Sequence, residues 1–290
     1  MMTLVHTWKK MLTIGLEEDS FQFDWTARSL ATASNGRTEK TITAKLVSKS
    51  HGVWAADAGL MALELLSIEM GMPIKISSHV QDGDSLEPGK IICQWTGSSS
   101  SILVFERTFI NLAAYCGGIA TQTRTLVKKI RESGLKSPPR LTGTRKTLPG
   151  FKDLAIQSTL IGGAHPHRYN LSGGLLLKEN HIATAGGIAP AILHARNTVP
   201  HLMKIEIEVK NTEELKEAIR AGAEVIMLDN FSPAQVRDAV LLKPTTVVFE
   251  VSGGIQESNI SNYCIEGLDV ISVGSITHSV KSIDLSLLVE

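Results

Sequence analysis

Cysteine, aromatic side chains and net charge are all scarce in this chain. Cys93, Cys116 and Cys264 stand far apart and form no CxxC pair. Neither a zinc ligand set nor a disulfide framework is expected, and a reducing, cytoplasmic setting fits. Aromatics make up 5%, and 29 Lys and Arg are matched by 29 Asp and Glu among 290 residues. A formal net charge of zero excludes a globally basic nucleic-acid binder and a polybasic membrane-surface protein. Any positive charge used on an anionic ligand must therefore be local. Long hydrophobic runs are missing too. No stretch reads as the ~18 consecutive apolar residues of a membrane span. The short apolar stretch Met11-Leu12-Thr13-Ile14-Gly15-Leu16 runs straight into Glu17-Glu18-Asp19, unlike a signal peptide. No GxGxxG motif follows a strand pattern. The segment Gly83-Asp84-Ser85-Leu86-Glu87-Pro88-Gly89-Lys90 imitates a phosphate-binding loop, but its glycines are one residue too far apart and Ile91 replaces the required Ser or Thr, so it reads as a turn.

What remains is 43% hydrophobic and ample for a large core. From Thr41 to Gly97 the chain reads as strands and tight turns (Asn35-Gly36 before them, then Asp82-Gly83-Asp84 and Pro88-Gly89), interrupted by one helix over about Ala55 to Glu69. A long helical pattern follows, about Ile102 to Ile130, with Cys116-Gly117-Gly118 as the point where a break is expected if there is one. Ser137-Pro138-Pro139 ends it.

The second half alternates strand and helix. Strands are expected at Arg140–Thr144, Gly174–Leu177, Lys204–Val209, Glu224–Leu228, Thr245–Val251 and Asp269–Val273. Asn211 and Ser232 have the chemistry of helix N-caps, each with Glu or Gln three residues on. Gln256–Cys264 is expected to be helical. Such units imply parallel strands. Glu208, Asp229, Ser252 and Gly274 follow one another at 21, 23 and 22 residues, each at or just past a strand end. One strand–helix unit thus returns the chain to one level each time. With Arg145 and Lys178 these residues would ring one rim, which favours a barrel over an open sheet. Six or seven strands are countable, so the barrel is incomplete. The expected division is an N-terminal domain over 1–115 and a barrel over 116–275, leaving open whether the tail 276–290 returns to the first domain.

Cations gather in short glycine-bounded segments: Arg145-Lys146, His165-Pro166-His167-Arg168 and Lys178-Glu179-Asn180-His181. On one concave surface they make a site for carboxylates and phosphates. His165 and His167 lack a third ligand nearby and read as structural or substrate-facing rather than metal-binding. Glu206 and Glu208 share one face of their strand. Buried there they must pair with the lysines, or hold ribose hydroxyls or Mg²⁺. Ser252-Gly253-Gly254 and Gly274-Ser275 offer backbone amides ahead of helices, a setting that suits phosphate.

The segments Glu106-Arg107-Thr108, Thr144-Arg145-Lys146-Thr147-Leu148-Pro149-Gly150, Gly162-Gly163-Ala164-His165-Pro166-His167-Arg168, Leu177-Lys178-Glu179-Asn180-His181-Ile182, Ile205-Glu206-Ile207-Glu208-Val209, Leu228-Asp229-Asn230, Val251-Ser252-Gly253-Gly254-Ile255 and Ser272-Val273-Gly274 occur in one order. Together they resemble the quinolinate phosphoribosyltransferases, over nearly the whole chain. The resemblance implies an α/β fold with an N-terminal α/β sandwich domain and an incomplete α/β barrel, assembled as a homodimer in which each sandwich covers the partner's barrel mouth. It implies the joining of quinolinate to phosphoribosyl pyrophosphate with loss of pyrophosphate and CO₂, giving nicotinate mononucleotide for NAD synthesis, with Mg²⁺ as cofactor. It further implies that Arg145, His167, Arg168 and Lys178 cradle quinolinate, with Arg107 reaching in from the neighbouring subunit. Lys146 and Lys178 would contact phosphoribosyl pyrophosphate. Glu208 and Asp229 would serve ribose and metal, and Ser252, Gly253, Gly254, Gly274 and Ser275 would cup the 5′-phosphate. Lys178, Glu208 and Asp229 are the candidate catalytic groups, and Lys178 and His167 the two candidates to stabilise or protonate the ring carbon that loses CO₂. The chain departs from the family at Ala164-His165-Pro166, at Gly173 and in the segment from Glu17 to Thr26. A related phosphoribosyltransferase acting on another base and a non-catalytic ligand-binding barrel are the alternatives.

Overall fold

The computed structural model describes residues 2–25, 29 and 40–290. The turn expected at Asn35-Gly36 lies outside the described residues. The chain forms two compact units. The first comprises Met1–Gln122, Thr147–Gly162 and Val280–Glu290, the second Thr123–Lys146 and Gly163–Ser279.

In the first unit a helix over Met2–Glu18 precedes β1 (Thr41–Ser48) and β2 (Gly52–Val53). Then come a helix over Asp57–Glu69, β3 (Ile74–Ser78), β4 (Ser85–Leu86) and β5 (Ile91–Ser98). β2 and β4 form a small antiparallel pair, and the phosphate-loop imitation at Gly83–Lys90 is turn and short strand, as its chemistry suggested. Trp8, Leu12, Leu16, Leu63, Trp95, Phe105 and Phe109 meet in one core. Leu60, Leu63 and Leu66 supply the inward side of the Asp57–Glu69 helix.

The helix Ser99–Arg131 runs through Cys116-Gly117-Gly118 without a break. Both positions have room for glycine alone, because another part of the chain lies against them. A Cβ on Gly117 would stand 2.4 Å from Ile283 Cδ1, and one on Gly118 2.4 Å from the Lys281 carbonyl oxygen. Among the described residues this is the one helix long and apolar enough to cross a membrane by length and composition, which a search for unbroken apolar runs passes over. Ile102, Phe105, Phe109, Ala113 and Ile119 along it are buried in the first unit's core.

The second unit holds β6 (Arg140–Thr142), β7 (Leu175–Leu177), β8 (Ile205–Val209), β9 (Val225–Asp229), β10 (Val248–Ser252) and β11 (Val270–Ser272). They form one sheet in the order β6-β11-β10-β9-β8-β7. Every neighbouring pair is parallel, and a further parallel bridge joins Thr142 to His165 beyond β6. This is the barrel-like α/β sheet expected from the strand–helix alternation. Connecting helices include Glu179–Ala185, Ile188–Thr198, Thr212–Arg220 and Pro233–Val240. Asn211 Oδ1 accepts from the Glu213 and Glu214 N–H groups at 3.1 and 2.9 Å. Ser232 and Gln235 close a reciprocal capping box. Gln256–Cys264, expected to be a helix, has only a 3₁₀ turn over Ile260–Tyr263. Asn259 is the reason: its side chain accepts from Gln256 N–H at 2.8 Å and donates to the Gly254 carbonyl at 3.0 Å, drawing the backbone into a turn.

The chain then returns to the first unit, where β12 (Leu285–Val289) joins an antiparallel sheet of order β12-β1-β5-β3.

Candidate active site

Strand ends build the site. Asp229 and Ser252 end β9 and β10 and lie opposite one another in register. Glu208 lies one residue before the end of β8, and Lys178 follows β7 directly. A cavity of about 610 Å³ opens there, lined among others by Arg145, Lys146, His167, Arg168, Lys178, Glu208, Asp229, Asn230, Ser252, Gly253 and Gly254. Residues separated by more than a hundred positions thus meet at one mouth, as the spacing of the strand ends suggested.

Lys178 and Arg168 each have defined partners. The KENHI segment starts the helix Glu179–Ala185, and His181 Nδ1 accepts the Lys178 backbone N–H at 3.0 Å. The Lys178 ammonium pairs with Glu208 Oε1. Arg168 donates from Nη1 to the Gly174 carbonyl at 3.0 Å. Burial lowers the Arg168 pKa, and the like charge of Arg145 adds to that lowering. A dianionic ligand would relieve this repulsion.

Below them sits a group the strand pattern only half disclosed. His167 Nε2 lies 3.7 Å from Glu206 Oε2 and 3.5 Å from Glu250 Oε1. Glu206 is 8% exposed and Glu250 4%. Glu206 therefore pairs with histidine rather than with a lysine, and burial, followed by the Glu250 charge, pushes its carboxyl upward against the pull of His167. Desolvation lowers the His167 pKa, and the two carboxylates outweigh it and move it up. The Arg168 backbone N–H stands against protonation of the other ring nitrogen. It donates to His167 Nδ1 at 2.8 Å, a bond that only a ring bare at Nδ1 can accept.

Of the two glycine turns, only the one after β10 lines the cavity. Gly253 has φ +98° and Gly254 φ +62°, conformations that favour glycine. Asn230, also left-handed at φ +56°, donates from Nδ2 to Asp229 Oδ2 at 3.0 Å. Gly274 and Ser275 are not among the lining residues, although a Cβ on Gly274 would stand 3.4 Å from Lys146 Cδ. His165 is exposed, bridges to Thr142 and takes no part in the cavity. Arg107 stands exposed on the helix Ser99–Arg131 and is not among the lining residues of this one chain. Sequence reasoning gave no role to Asn230, Ser272 or Glu250. For Glu250 the signal was there: it is the one acid in Val248–Ser252, two positions before Ser252 and on the same strand face.

Glu208 and Asp229 are the carboxylates at the mouth with an oxygen to offer a metal. Lys178 meets only Oε1 of Glu208, and Asn230 only Oδ2 of Asp229. Hard oxygen donors of this kind fit Mg²⁺.

Comparison with known proteins agrees along the whole chain. Residues 24–116 match the quinolinate phosphoribosyl transferase N-terminal domain, and residues 119–288 its C-terminal domain. A probable nicotinate-nucleotide pyrophosphorylase [carboxylating] of Bacillus subtilis is 36% identical over 96% of this chain and 92% of its own. The human nicotinate-nucleotide pyrophosphorylase [carboxylating] is 34% identical over 81% of this chain and 80% of its own. The solved nicotinate-nucleotide pyrophosphorylase of Francisella tularensis superposes with a TM-score of 0.87 at 32% identity, over 99% of this chain and 97% of that one. A parallel barrel-like sheet with guanidinium, ammonium and carboxylate groups around one mouth, and glycine turns beside them, makes a site for anionic, phosphorylated ligands, and the relatives make the class a transferase. The particular family is equally plain: this chain belongs to the quinolinate phosphoribosyltransferases.

Proposed function

We propose that this chain transfers the phosphoribosyl group of phosphoribosyl pyrophosphate to the ring nitrogen of quinolinate, with loss of pyrophosphate and CO₂, to give nicotinate mononucleotide in NAD biosynthesis. The observation that carries the reading is the convergence of Arg145, Arg168 and Lys178 on one cavity beside Glu208 and Asp229. Two adjacent carboxylates on a pyridine suit planar guanidinium forks at close range. Lys146 and the Ser252-Gly253-Gly254 turn, which line the cavity, suit the phosphates.

Binding would proceed against the Lys178–Glu208 pair. An incoming quinolinate carboxylate draws the ammonium away and frees Glu208 for the ribose. As the bond from C1′ to pyrophosphate breaks, positive charge grows on the sugar, and the carboxylates of Glu208 and Asp229 stabilise it. Mg²⁺, held by Glu208 and Asp229, would neutralise the leaving pyrophosphate. After transfer the ring nitrogen is cationic, and CO₂ leaves C2 with the bonding electrons remaining on that carbon. We assign the final positive charge of the cradle to the partner subunit's Arg107, in a cytoplasmic homodimer.

The test is incubation with quinolinate, phosphoribosyl pyrophosphate and Mg²⁺. Release of one CO₂ per pyrophosphate is expected, with no pyrophosphate when nicotinate replaces quinolinate. Equal use of nicotinate would assign the chain to another base, and binding without turnover would make it a ligand-binding barrel.

A further inference from the structure

The proposed reaction leaves a carbanion at the ring carbon, and two side chains of the mouth carry protons that could reach it: Lys178 and His167. The geometry separates them. The Arg168 backbone N–H points at His167 Nδ1 from 2.8 Å, so Nδ1 has a lone pair and no proton. The ring proton then resides on Nε2, the nitrogen that faces Glu250 at 3.5 Å and Glu206 at 3.7 Å. Nδ1 is therefore engaged by a hydrogen bond and Nε2 faces two carboxylates at ion-pair distance, so neither nitrogen is turned to a ligand in the cavity that the ring lines.

The carboxylates are placed to hold the ring rather than to work at the mouth. Glu206 belongs to β8 and Glu250 to β10, alternate strands of the sheet, so both reach inward past β9. Glu206 Oε1 and Glu250 Oε1 lack any hydrogen bond among the described residues. For Glu250 Oε1 the His167 contact is the ion-pair partner. Two buried acids with so few partners are costly in a core, and the imidazole N–H is what they share.

We infer that Glu206 and Glu250 form a buried clamp that fixes His167 in its Nε2–H tautomer, making His167 a positioning residue for Arg168 and for the quinolinate ring rather than a proton donor. The chain geometry explains the benefit. Arg168 follows His167 directly, and its backbone N–H is tied to the clamped ring. A ring that cannot turn keeps the start of the Arg168 side chain in place. The three groups also lie within 4.8 Å of one another, close enough to surround a metal ion. A cation there would need Nε2 bare and Nδ1 protonated, the reverse of what the Arg168 N–H permits.

This inference rests on the quinolinate reading of the site, and the experiment separates the two. In the full-length protein labelled with ¹⁵N-histidine, His167 is assigned among the nine histidines by its loss in His167→Gln. At neutral pH its Nδ1 should be unprotonated and its Nε2 protonated, and Glu250→Gln should shift both signals. In steady-state assays His167→Gln, which keeps an N–H donor for the carboxylates, should raise the quinolinate KM about 10-fold, with kcat falling by less than ~10-fold and the phosphoribosyl pyrophosphate KM unmoved. Glu250→Gln and Glu206→Gln should move the quinolinate KM in the same direction. A kcat loss of ~10²–10⁴ in His167→Gln at an unchanged quinolinate KM would make His167 the proton donor and overturn the inference. So would a bare Nε2, or a stoichiometric divalent ion displaced by His167→Gln. If the wild-type protein released no pyrophosphate with quinolinate, the functional reading would fall, while the ring's tautomer would still decide whether the clamp exists.

Discussion

A backbone angle at position 253 sets how closely the β9 and β10 ends can approach. A Cβ there would stand 2.2 Å from Asn230 Oδ1 and 3.0 Å from Asn230 N, at a φ of +98° that disfavours any side chain. Asn230 is left-handed as well, and its amide holds Asp229. Gly253→Ala should lower stability by about 2–4 kcal/mol in denaturant titration. It should also raise the phosphoribosyl pyrophosphate KM, because Asn230 must give way and Asp229 loses its support. Arg145 is a simpler case: it lines the cavity beside Arg168. Arg145→Ala should weaken quinolinate binding by about 2–5 kcal/mol, the range for truncating one partner of a desolvated charge pair. A calorimetric loss below ~0.5 kcal/mol would remove it from the cradle. At this scale the sequence was readable wherever the chemistry lay in a distinctive string, as with Arg145-Lys146 and Lys178-Glu179-Asn180-His181. At Glu250 the position was marked, as the one acid of its strand, but its role was not, because its partners come from positions 167 and 206.

The helix Asp57–Glu69 begins on a pair of acids. The Asp57 N–H donates to Asp82 Oδ1 at 3.0 Å, and the Asp82 N–H to Asp57 Oδ2 at 2.8 Å. Burial raises the Asp82 carboxyl to about 6, and the facing Asp57 charge adds to this, while the Asp57 N–H works against it. The unfolded value is 3.8, so the folded protein holds this proton more tightly. Its stabilising share is whole below pH ~4, declines as pH rises towards 6, and is absent above that. Asp82→Asn keeps the acceptor and should stabilise the protein at pH 7 by about 1 kcal/mol, a figure reduced for the group's partial exposure. The gain should vanish near pH 4, as thermal melts across that range would show. Elements were legible where a cap or a period marks them, as at Asn211 and Ser232. They were not where tertiary contacts decide. Gly117-Gly118 looks like a breaker until Lys281 and Ile283 are brought against it, and Gln256–Cys264 looks helical until Asn259 binds its own loop.

For the whole molecule the sequence disclosed the architecture best, because parallel strand–helix units bring Glu208, Asp229 and Ser252 to strand ends at nearly equal spacing. The six-stranded count at the lower of the two expected values follows from the short β6 and β7 and from a lone bridge at His165. If the partner subunit's Arg107 completes the proposed cradle, inactive Arg107→Ala and Arg145→Ala proteins should regain activity when mixed, since hybrid dimers would contain one mouth with both arginines. Rescue approaching one quarter of the wild-type rate is expected for random exchange, and no rescue would place both arginines in one chain.

The last strand carries its own consequence. β12 is hydrogen-bonded to β1, with Ala44 opposite Val289 and Ser48 opposite Leu285. On a ribosome, β1 finds β5 early but waits through the synthesis of every barrel strand before β12 emerges to cover its other edge. The nascent sheet thus keeps an open edge along β1 until β12 is made.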